Sequence, residues 1–232
     1  MKTIGLLGGT SWPSTIEYYR ILNEFAQNTL GGFHSASILL RSIDYHEMKS
    51  RYYARWAEIP PLLKREIKAL AGLGPDCLVL CNNTLHKAFD AIEADLELAI
   101  PVFHIVQATG RAARCMNMRR LLLLGTQFTM EDGFFHRGLE QFGLQVETPD
   151  GEDRARIQQI QSQLALGIVT EEFRRDLAML VEKHAGSVDA VVLACTELPL
   201  ALSQGDCDIP IINPTQAQCR EAFQFAVGAS TA

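Results

Sequence analysis

Short apolar runs alternate along the chain with longer segments in which apolar residues recur at helical spacing. Runs of about four to eight residues that are rich in leucine or β-branched residues predict buried strands. Runs of this kind are TIGLL, ASILL, CLVL, IPVFHI, RLLLLG, AVVLA and IPII. Because helical segments separate them, the pattern predicts an α/β protein with parallel strands and helices on the faces of the sheet.

Capping residues and prolines mark where several of the predicted helices begin. Ser14 followed by Glu17 has the spacing of a capping box and predicts the start of the first helix. Thr170 is placed to cap a later helix, and Pro214 suits the first turn of the last one. In such a protein the functional groups are expected at the carboxyl ends of the strands.

Strand and turn units recur later in the chain in the same order. The pairs are TIGLLGG (3–9) with RLLLLGT (120–126), DCLVLCNNT (76–84) with DAVVLACTE (189–197), and IPVFHIVQA (100–108) with IPIINPTQA (209–217). One match would carry little weight, because buried strands look alike. Matches in the same order favour an internal duplication.

The duplication predicts two pseudo-symmetric lobes, each a parallel sheet flanked by helices, with the active site in the cleft between them. We expect the first lobe to contain residues 1–103 and 211–232, and the second lobe to contain residues 104–210. In this alignment Asn82 falls opposite Cys195, and both are expected where a strand ends and a helix begins.

Composition narrows the class of function. The chain has 232 residues, of which 47% are hydrophobic and 21% charged, as in ordinary soluble globular proteins. A net charge of −6 without a basic block argues against nucleic acid as a partner. The apolar runs are too short for a membrane span. The six cysteines form no CxxC pairs and the histidines lack metal-binding spacing, so we expect a cytoplasmic protein with free thiols and no metal site.

Cys195 is the side chain with the most distinct chemistry. A thiol at a helix start has its thiolate favoured by exposed N–H groups and the helix dipole. Those N–H groups, with the hydroxyls of Thr84 and Thr196, suit a substrate carboxylate. The ordinary alternative is a small buried cysteine, but the polar turn that follows it and the matching turn at Asn82 favour a functional site. Glu197 either orients Cys195 or caps the turn, and both interpretations stay open.

Segments along almost the whole chain resemble the Asp/Glu racemases, which need no pyridoxal phosphate. They are GGTSWPSTIEYY near the start, NNTLH (82–86), LGTQFTM (124–130) and ACTELPL (194–200). ACTELPL carries the most specific likeness. The resemblance implies two pseudo-symmetric α/β lobes, a small carboxylate or amino-acid substrate, no cofactor and a homodimer.

The resemblance also implies roles for individual residues. Cys195 would be one of two acid/base groups that work on opposite faces of the substrate's α-carbon, and Asn82 occupies the position of the other. The residues implied to bind the substrate are Thr10, Ser11, Asn83, Thr84, Thr126, Thr196 and Glu197.

Asn82 departs from the family pattern, in which this position is Cys or Thr. A carboxamide neither accepts nor donates a proton usefully near neutral pH. Cys81 lies beside it, but strand alternation directs that thiol to the opposite face, into the fold. A one-residue rearrangement in the turn would reverse this assignment. Late in the chain NPTQAQ (213–218) stands where the family has DTTxIH, so an Asp and a His are missing.

Three functions are open on these grounds. The first is a cofactor-independent racemase that acts through Cys195 at the α-carbon of a small (di)carboxylic amino acid, slowly if Asn82 replaces the second base. The second is a one-base decarboxylase or lyase on the same scaffold. The third is a non-catalytic protein that binds small acids.

Overall fold

The structure is a computed structural model that describes residues 1–229 and contains two compact units. The first unit consists of Met1–Ile105 and the chain from Gln218 onward, and the second consists of Val106–Ala217. The second unit extends past the expected 104–210, because residues 211 and 212 form a strand in its sheet.

The first unit contains a four-stranded parallel sheet with the strand order β2-β1-β3-β4. The strands are β1 (Ile4–Gly8), β2 (Ile38–Ser42), β3 (Cys77–Leu80) and β4 (Val102–Phe103). The helices are α1 (Trp12–Leu30), α2 (Tyr45–Lys49), α3 (Ile59–Ala71), α4 (Leu85–Asp90) and α5 (Glu93–Leu96), with a 3-10 turn at Trp56–Glu58. The two central strands are buried along their whole length, so an apolar layer packs on each face of the sheet.

The second unit contains another four-stranded parallel sheet, with the order β6-β5-β7-β8. The strands are β5 (Arg120–Gly125), β6 (Gln145–Glu147), β7 (Ala190–Ala194) and β8 (Ile211–Ile212). The remaining helices are α6 (Ile105–Cys115), α7 (Gln127–Glu131), α8 (Phe134–Glu140), α9 (Gly151–Leu164), α10 (Glu171–Lys183) and α11 (Pro214–Val227), with a 3-10 turn at Leu198–Leu200. By residue assignment, α11 begins in the second unit and ends in the first.

The two sheets share their topology and their central register. Ile4 pairs with Cys77 between β1 and β3, and Leu121 pairs with Ala190 between β5 and β7. The sequence alignment matches these same positions, since it places the two first strands and the two central strands in correspondence. The predicted α/β fold with two similar parallel sheets is therefore confirmed, down to the pairing of individual residues.

The fourth strand of each sheet is held in the same way. The Leu78 N–H donates to the carbonyl of Pro101 at 2.9 Å, and the Val191 N–H donates to the carbonyl of Pro210 at 2.8 Å. Because each Pro lacks an N–H, it suits the residue just before a short edge strand. The Ile-Pro repeat in the sequence thus marks equivalent entries into β4 and β8.

The predicted helix starts are right in two places and wrong in one. Thr170 caps α10 by accepting from a backbone N–H, and α11 begins at Pro214. However, α1 begins at Trp12, so Ser14 and Glu17 lie inside the helix and form no capping box. A proline in the first turn of α1 supplies the start signal, because it has no N–H to leave unpaired there.

Candidate functional site

Side chains at the end of β3 and directly after it are divided between the two faces of the sheet. Leu78 and Leu80 belong to the apolar cluster on one face, whereas Cys81 belongs to the cluster on the other face. Cys81 is fully buried, and this burial raises the pKa of its thiol far above the ordinary range. The orientation predicted for Cys81 is confirmed, and a neutral thiol in the core is not available for proton transfer.

Asn82 uses both ends of its carboxamide to hold this turn. Its Oδ1 accepts from the Leu85 N–H at 2.8 Å, which caps the start of α4. Its Nδ2 donates to the carbonyl of Thr10 at 3.3 Å and lies 3.5 Å from Tyr45 Oη. A second hydrogen bond joins the same two segments, because the Thr10 hydroxyl, which follows β1, donates to the carbonyl of Cys81 at 3.0 Å. Asn82 and Thr10 therefore connect the ends of β1 and β3.

Asn83 and Thr84 follow in the same turn and are both buried. The side-chain oxygen of Asn83 has no hydrogen-bond partner within residues 1–229. Thr84 is hydrogen-bonded to Tyr52, whose Oη lies 3.0 Å from Tyr45 Oη. Burial raises the pKa of Tyr52 well above its ordinary value, so this phenol stays protonated. Hydroxyl groups thus line the carboxyl end of the first sheet.

The loop after β1 has a backbone that only certain residues adopt. Gly9 has a φ of 82°, and a Cβ built on it would lie 2.1 Å from the carbonyl oxygen of Ile43. Ser11 has a φ of 76° without being glycine. Such strain in a non-glycine residue is typical of functional turns. The Gly-Gly-Thr-Ser segment is accordingly held in one conformation beside Asn82.

A buried polar network behind this turn was missed by the sequence reasoning. Gln218 Nε2 donates to the carbonyl of Phe103 at 2.6 Å and lies 3.3 Å from His86 Nε2, while Tyr18 Oη donates to Gln218 Oε1 at 2.9 Å. Burial, and then the neighbouring His104 ring, lower the pKa of His86 well below its usual value. The available signal was that Gln218 stands where the racemases that the sequence resembles have a His. A glutamine places a neutral amide beside the neutral imidazole of His86.

The turn after β7 contains a thiol and a carboxylate in direct contact. Cys195 Sγ donates to Glu197 Oε2 at 2.7 Å, and Thr196 Oγ1 donates to the same oxygen at 3.0 Å. Cys195 and Glu197 are only 5% and 6% exposed. The Glu197 side chain thus hydrogen-bonds to Cys195 and makes no capping hydrogen bond to the 3-10 turn that follows. That it orients Cys195 for chemistry stays a prediction.

The protonation state of Cys195 differs from the sequence-based expectation. No long helix begins after β7, because the chain makes only the 3-10 turn Leu198–Leu200. Burial is the main cause that raises the pKa of Cys195 well above its ordinary value, and the charge of Glu197 adds to it. Backbone N–H groups of Glu197 and Leu198 oppose this effect but do not outweigh it. The prediction of a favoured thiolate is wrong, and the resting group is a thiol.

Thr126 lies directly after β5, and its side chain is hydrogen-bonded to Thr129. Its Oγ1 accepts from the Thr129 N–H at 3.2 Å and lies 3.0 Å from the Thr129 hydroxyl, so it caps α7.

The structure thus brings Thr10, Asn82 and their neighbours together in the first unit, and it brings Cys195, Thr196 and Glu197 together in the second. By strand register Asn82 and Cys195 hold equivalent positions in their units.

Within residues 1–229, no group of three or more His, Cys, Asp or Glu side chains is arranged to hold a metal ion. In the same range, no helix is both long enough and apolar enough to cross a membrane.

Cysteine labelling tests the protonation state of Cys195. Cys195 is expected to react with iodoacetamide at pH 7 more slowly than the exposed Cys115, because only the thiolate is nucleophilic and a raised pKa leaves little thiolate. The rate at Cys195 should then increase as the pH rises. Timed labelling of the folded protein with peptide mass spectrometry measures both rates. Faster labelling of Cys195 than of Cys115 at pH 7 would contradict the assignment.

Known proteins resemble the chain over nearly its full length. A profile of the Asp/Glu/Hydantoin racemase family matches residues 7–222. The broad specificity amino-acid racemase RacX of Bacillus subtilis (strain 168) is 26% identical over 226 residues, which are 90% of this chain and 92% of RacX.

Solved structures agree with this match. An Asp/Glu racemase candidate from Yersinia pestis superposes with a TM-score of 0.88 at 36% identity, covering 98% of this chain and all (100%) of that one. An aspartate racemase homologue from Pyrococcus horikoshii OT3 has a TM-score of 0.88 at 30% identity, with the same 98% and 100% coverage. The family profile matches most of the chain, and the strand order of the two sheets and their paired strand-end turns agree with that match. This chain belongs to the Asp/Glu/hydantoin racemase family.

Proposed function

We propose that the chain is an amino-acid racemase that works without pyridoxal phosphate, and that Cys195 is one of its acid/base groups. Membership of a racemase family supports an isomerase. The observation that carries the role of Cys195 is its 2.7 Å hydrogen bond to Glu197 Oε2 at the end of β7. A thiol in contact with a carboxylate has an acceptor for its proton at hand.

The proton steps follow from this pair. Glu197 accepts the proton of Cys195 Sγ, and the resulting thiolate removes the α-proton of the substrate. The electron pair of the broken C–H bond delocalises into the substrate carboxylate. Inversion requires that a second acid or solvent donate a proton to the opposite face of the α-carbon, and Glu197 then releases to solvent the proton that it accepted. When Cys195 instead returns its proton, the starting enantiomer is restored and Glu197 gives its proton back to the thiolate.

Asn83 supports an amino acid as the substrate. Its Oδ1 is a buried acceptor that lacks a hydrogen-bond partner in the described part of the chain, and the residue is 7% exposed. Buried acceptors in folded proteins are nearly always satisfied. The ammonium group of an amino acid supplies N–H donors of the required kind. We therefore assign Asn83 to the substrate's amino group.

The carboxylate contacts inferred from the sequence need revision. The hydroxyls of Thr84 and Thr196 bond to Tyr52 and Glu197, so we assign these two residues to positioning. Arg41 on β2 is bonded to Glu66 at 2.8 Å, and we do not assign it to a distal carboxylate. The substrate panel should accordingly include neutral amino acids as well as aspartate and glutamate.

A one-base enzyme is the second candidate, and Asn82 favours it. Its carboxamide is fixed by hydrogen bonds to Leu85 and Thr10 and cannot exchange a proton usefully. If no other group serves the second face, the chain would exchange the α-proton through Cys195 without inversion, or would remove a carboxylate or leaving group instead.

Incubation in deuterated water separates these functions. Purified protein is incubated with single enantiomers, and NMR and chiral chromatography follow α-deuteration and inversion. We expect inversion accompanied by deuterium incorporation for at least one amino acid. Deuteration without inversion would replace the racemase by a one-base enzyme. The absence of any exchange or other turnover, with ligand binding retained, would leave a small-acid-binding protein. Cys195→Ala is the matched negative control.

A further inference from the structure

His86 places a buried imidazole directly behind the turn that follows β3. It lies on α4, is 0% exposed, and its ring meets the ring of His104 edge to face at 4.3 Å. Its backbone N–H donates to the carbonyl of Asn83 at 3.3 Å. His86 is therefore bonded directly to the residue that we assign to the substrate's amino group.

Gln218 lies on the part of α11 that belongs to the first unit, and its amide is oriented by two groups other than His86. Its Oε1 accepts from the Tyr18 hydroxyl at 2.9 Å, and its Nε2 donates to the carbonyl of Phe103 at 2.6 Å. Because a backbone carbonyl only accepts, the flipped amide would place two acceptors against each other. The second N–H of the same nitrogen is left for His86 Nε2, which lies 3.3 Å away.

These contacts determine which nitrogen of His86 carries a proton. The ring is neutral, because burial and then the neighbouring His104 lower its pKa well below the ordinary value. In a neutral imidazole one nitrogen carries the proton, and the hydrogen bond at the other nitrogen decides which. Nε2 accepts from Gln218, so the proton lies on Nδ1. Nδ1 in turn interacts with the carbonyl of Leu80, the last residue of β3, without ordinary hydrogen-bond geometry.

From this geometry we propose that Gln218 is a positioning residue for Asn83: it fixes His86 as the Nδ1–H tautomer, and the fixed ring holds the turn after β3 in place. The inference rests on the racemase function and on the role of Asn83 proposed above. Asn83 is assigned to binding and not to proton transfer, so a displaced turn weakens its contact with the substrate equally in the ground state and in the transition state. Such a loss raises KM and leaves kcat nearly unchanged.

Nitrogen-15 NMR of the wild-type protein tests the tautomer. Correlations from the ring protons to Nδ1 and Nε2 distinguish the two neutral forms from each other and from the imidazolium, and sequential assignment identifies the signals of His86. We expect Nδ1 to be protonated and Nε2 to be unprotonated at pH 7. A proton on Nε2, in a neutral or a charged ring, would overturn the role of Gln218, because its amide could not donate there.

Gln218→Glu tests the positioning role, because it keeps the size of the side chain and an acceptor for Tyr18 but has no N–H to donate. A carboxylate only accepts, so the NMR signals should now show a proton on His86 Nε2. We expect KM to rise by about tenfold or more, as for a weakened hydrogen bond to a charged ligand, while kcat changes little. Gln216→Glu adds the same charge at an exposed position of α11 and is the matched control, which should keep the wild-type KM.

The outcomes separate this inference from the proposed function. An unchanged KM in folded Gln218→Glu protein would overturn the positioning role. A fall in kcat in place of a rise in KM, or a variant that does not fold, would also overturn it, since Gln218 would then support the chemistry or the structure as a whole. In each of these cases the wild-type protein remains a racemase. Wild-type protein that turns over no amino acid would refute the racemase itself, and the effect on KM with it.

Discussion

Cys195→Ser is expected to reduce inversion and α-proton exchange by about 10²- to 10⁴-fold, the range attributed to a positioned acid/base group. A serine hydroxyl keeps the donor to Glu197 and nearly the same volume, so the fold should change little. Its oxygen, however, is far more difficult to deprotonate than a thiol, even a thiol whose pKa burial has raised. Deuterium exchange from each enantiomer, with the melting temperature, measures both effects.

Cys207→Ser is the matched control for this change. Cys207 lies in the same unit, is partly buried and donates through Sγ to the carbonyl of Ile209 at 3.5 Å. It should retain full activity. If Cys195→Ser kept its exchange rate, or lost its activity only together with its folded structure, Cys195 would be a structural cysteine.

Gln218→Leu is expected to lower the free energy of unfolding of the first unit by about 3 kcal/mol or more. The substitution removes the contacts that the Gln218 side chain makes with the carbonyl of Phe103, the imidazole of His86 and the hydroxyl of Tyr18. A buried polar group that loses its partner costs about 1–3 kcal/mol. Gln218 and His86 are both 0% exposed, so the groups that lose the amide do not face bulk water.

Urea denaturation followed by tryptophan fluorescence measures this loss. Both tryptophans, Trp12 and Trp56, lie in the first unit, so their fluorescence reports on the unit that contains Gln218. Gln216→Leu places the same side chain at an exposed position of α11 and serves as the control. Equal midpoints for the two variants would show that the network behind α4 contributes nothing measurable.

The sequence alone was sufficient for the fold because its signals are local and repeated. A buried strand needs a continuous apolar run, and a parallel sheet needs helices between the strands, so the order of elements was readable. The recurrence of Ile-Pro before β4 and β8 marked equivalent strands. Alternation along β3 also placed Cys81 in the core. β6 was missed, because Gln145–Glu147 is a short edge strand without an apolar run.

The chemistry of the candidate site, in contrast, depends on contacts between side chains that are far apart in the sequence. Motifs marked Asn82 and Cys195, yet the protonation of Cys195 follows from its burial and from the direction of the Glu197 side chain. Tyr45 and Gln218 reach their partners only because β2 and α11 pack beside β1 and α4. Desolvation and hydrogen bonding depend on which side chains exclude water from a group, and packing between distant segments decides that. For this protein, therefore, the sequence determined the two sheets and the positions of the turns, whereas the tertiary structure decided which side chains in those turns hold, accept or donate a proton.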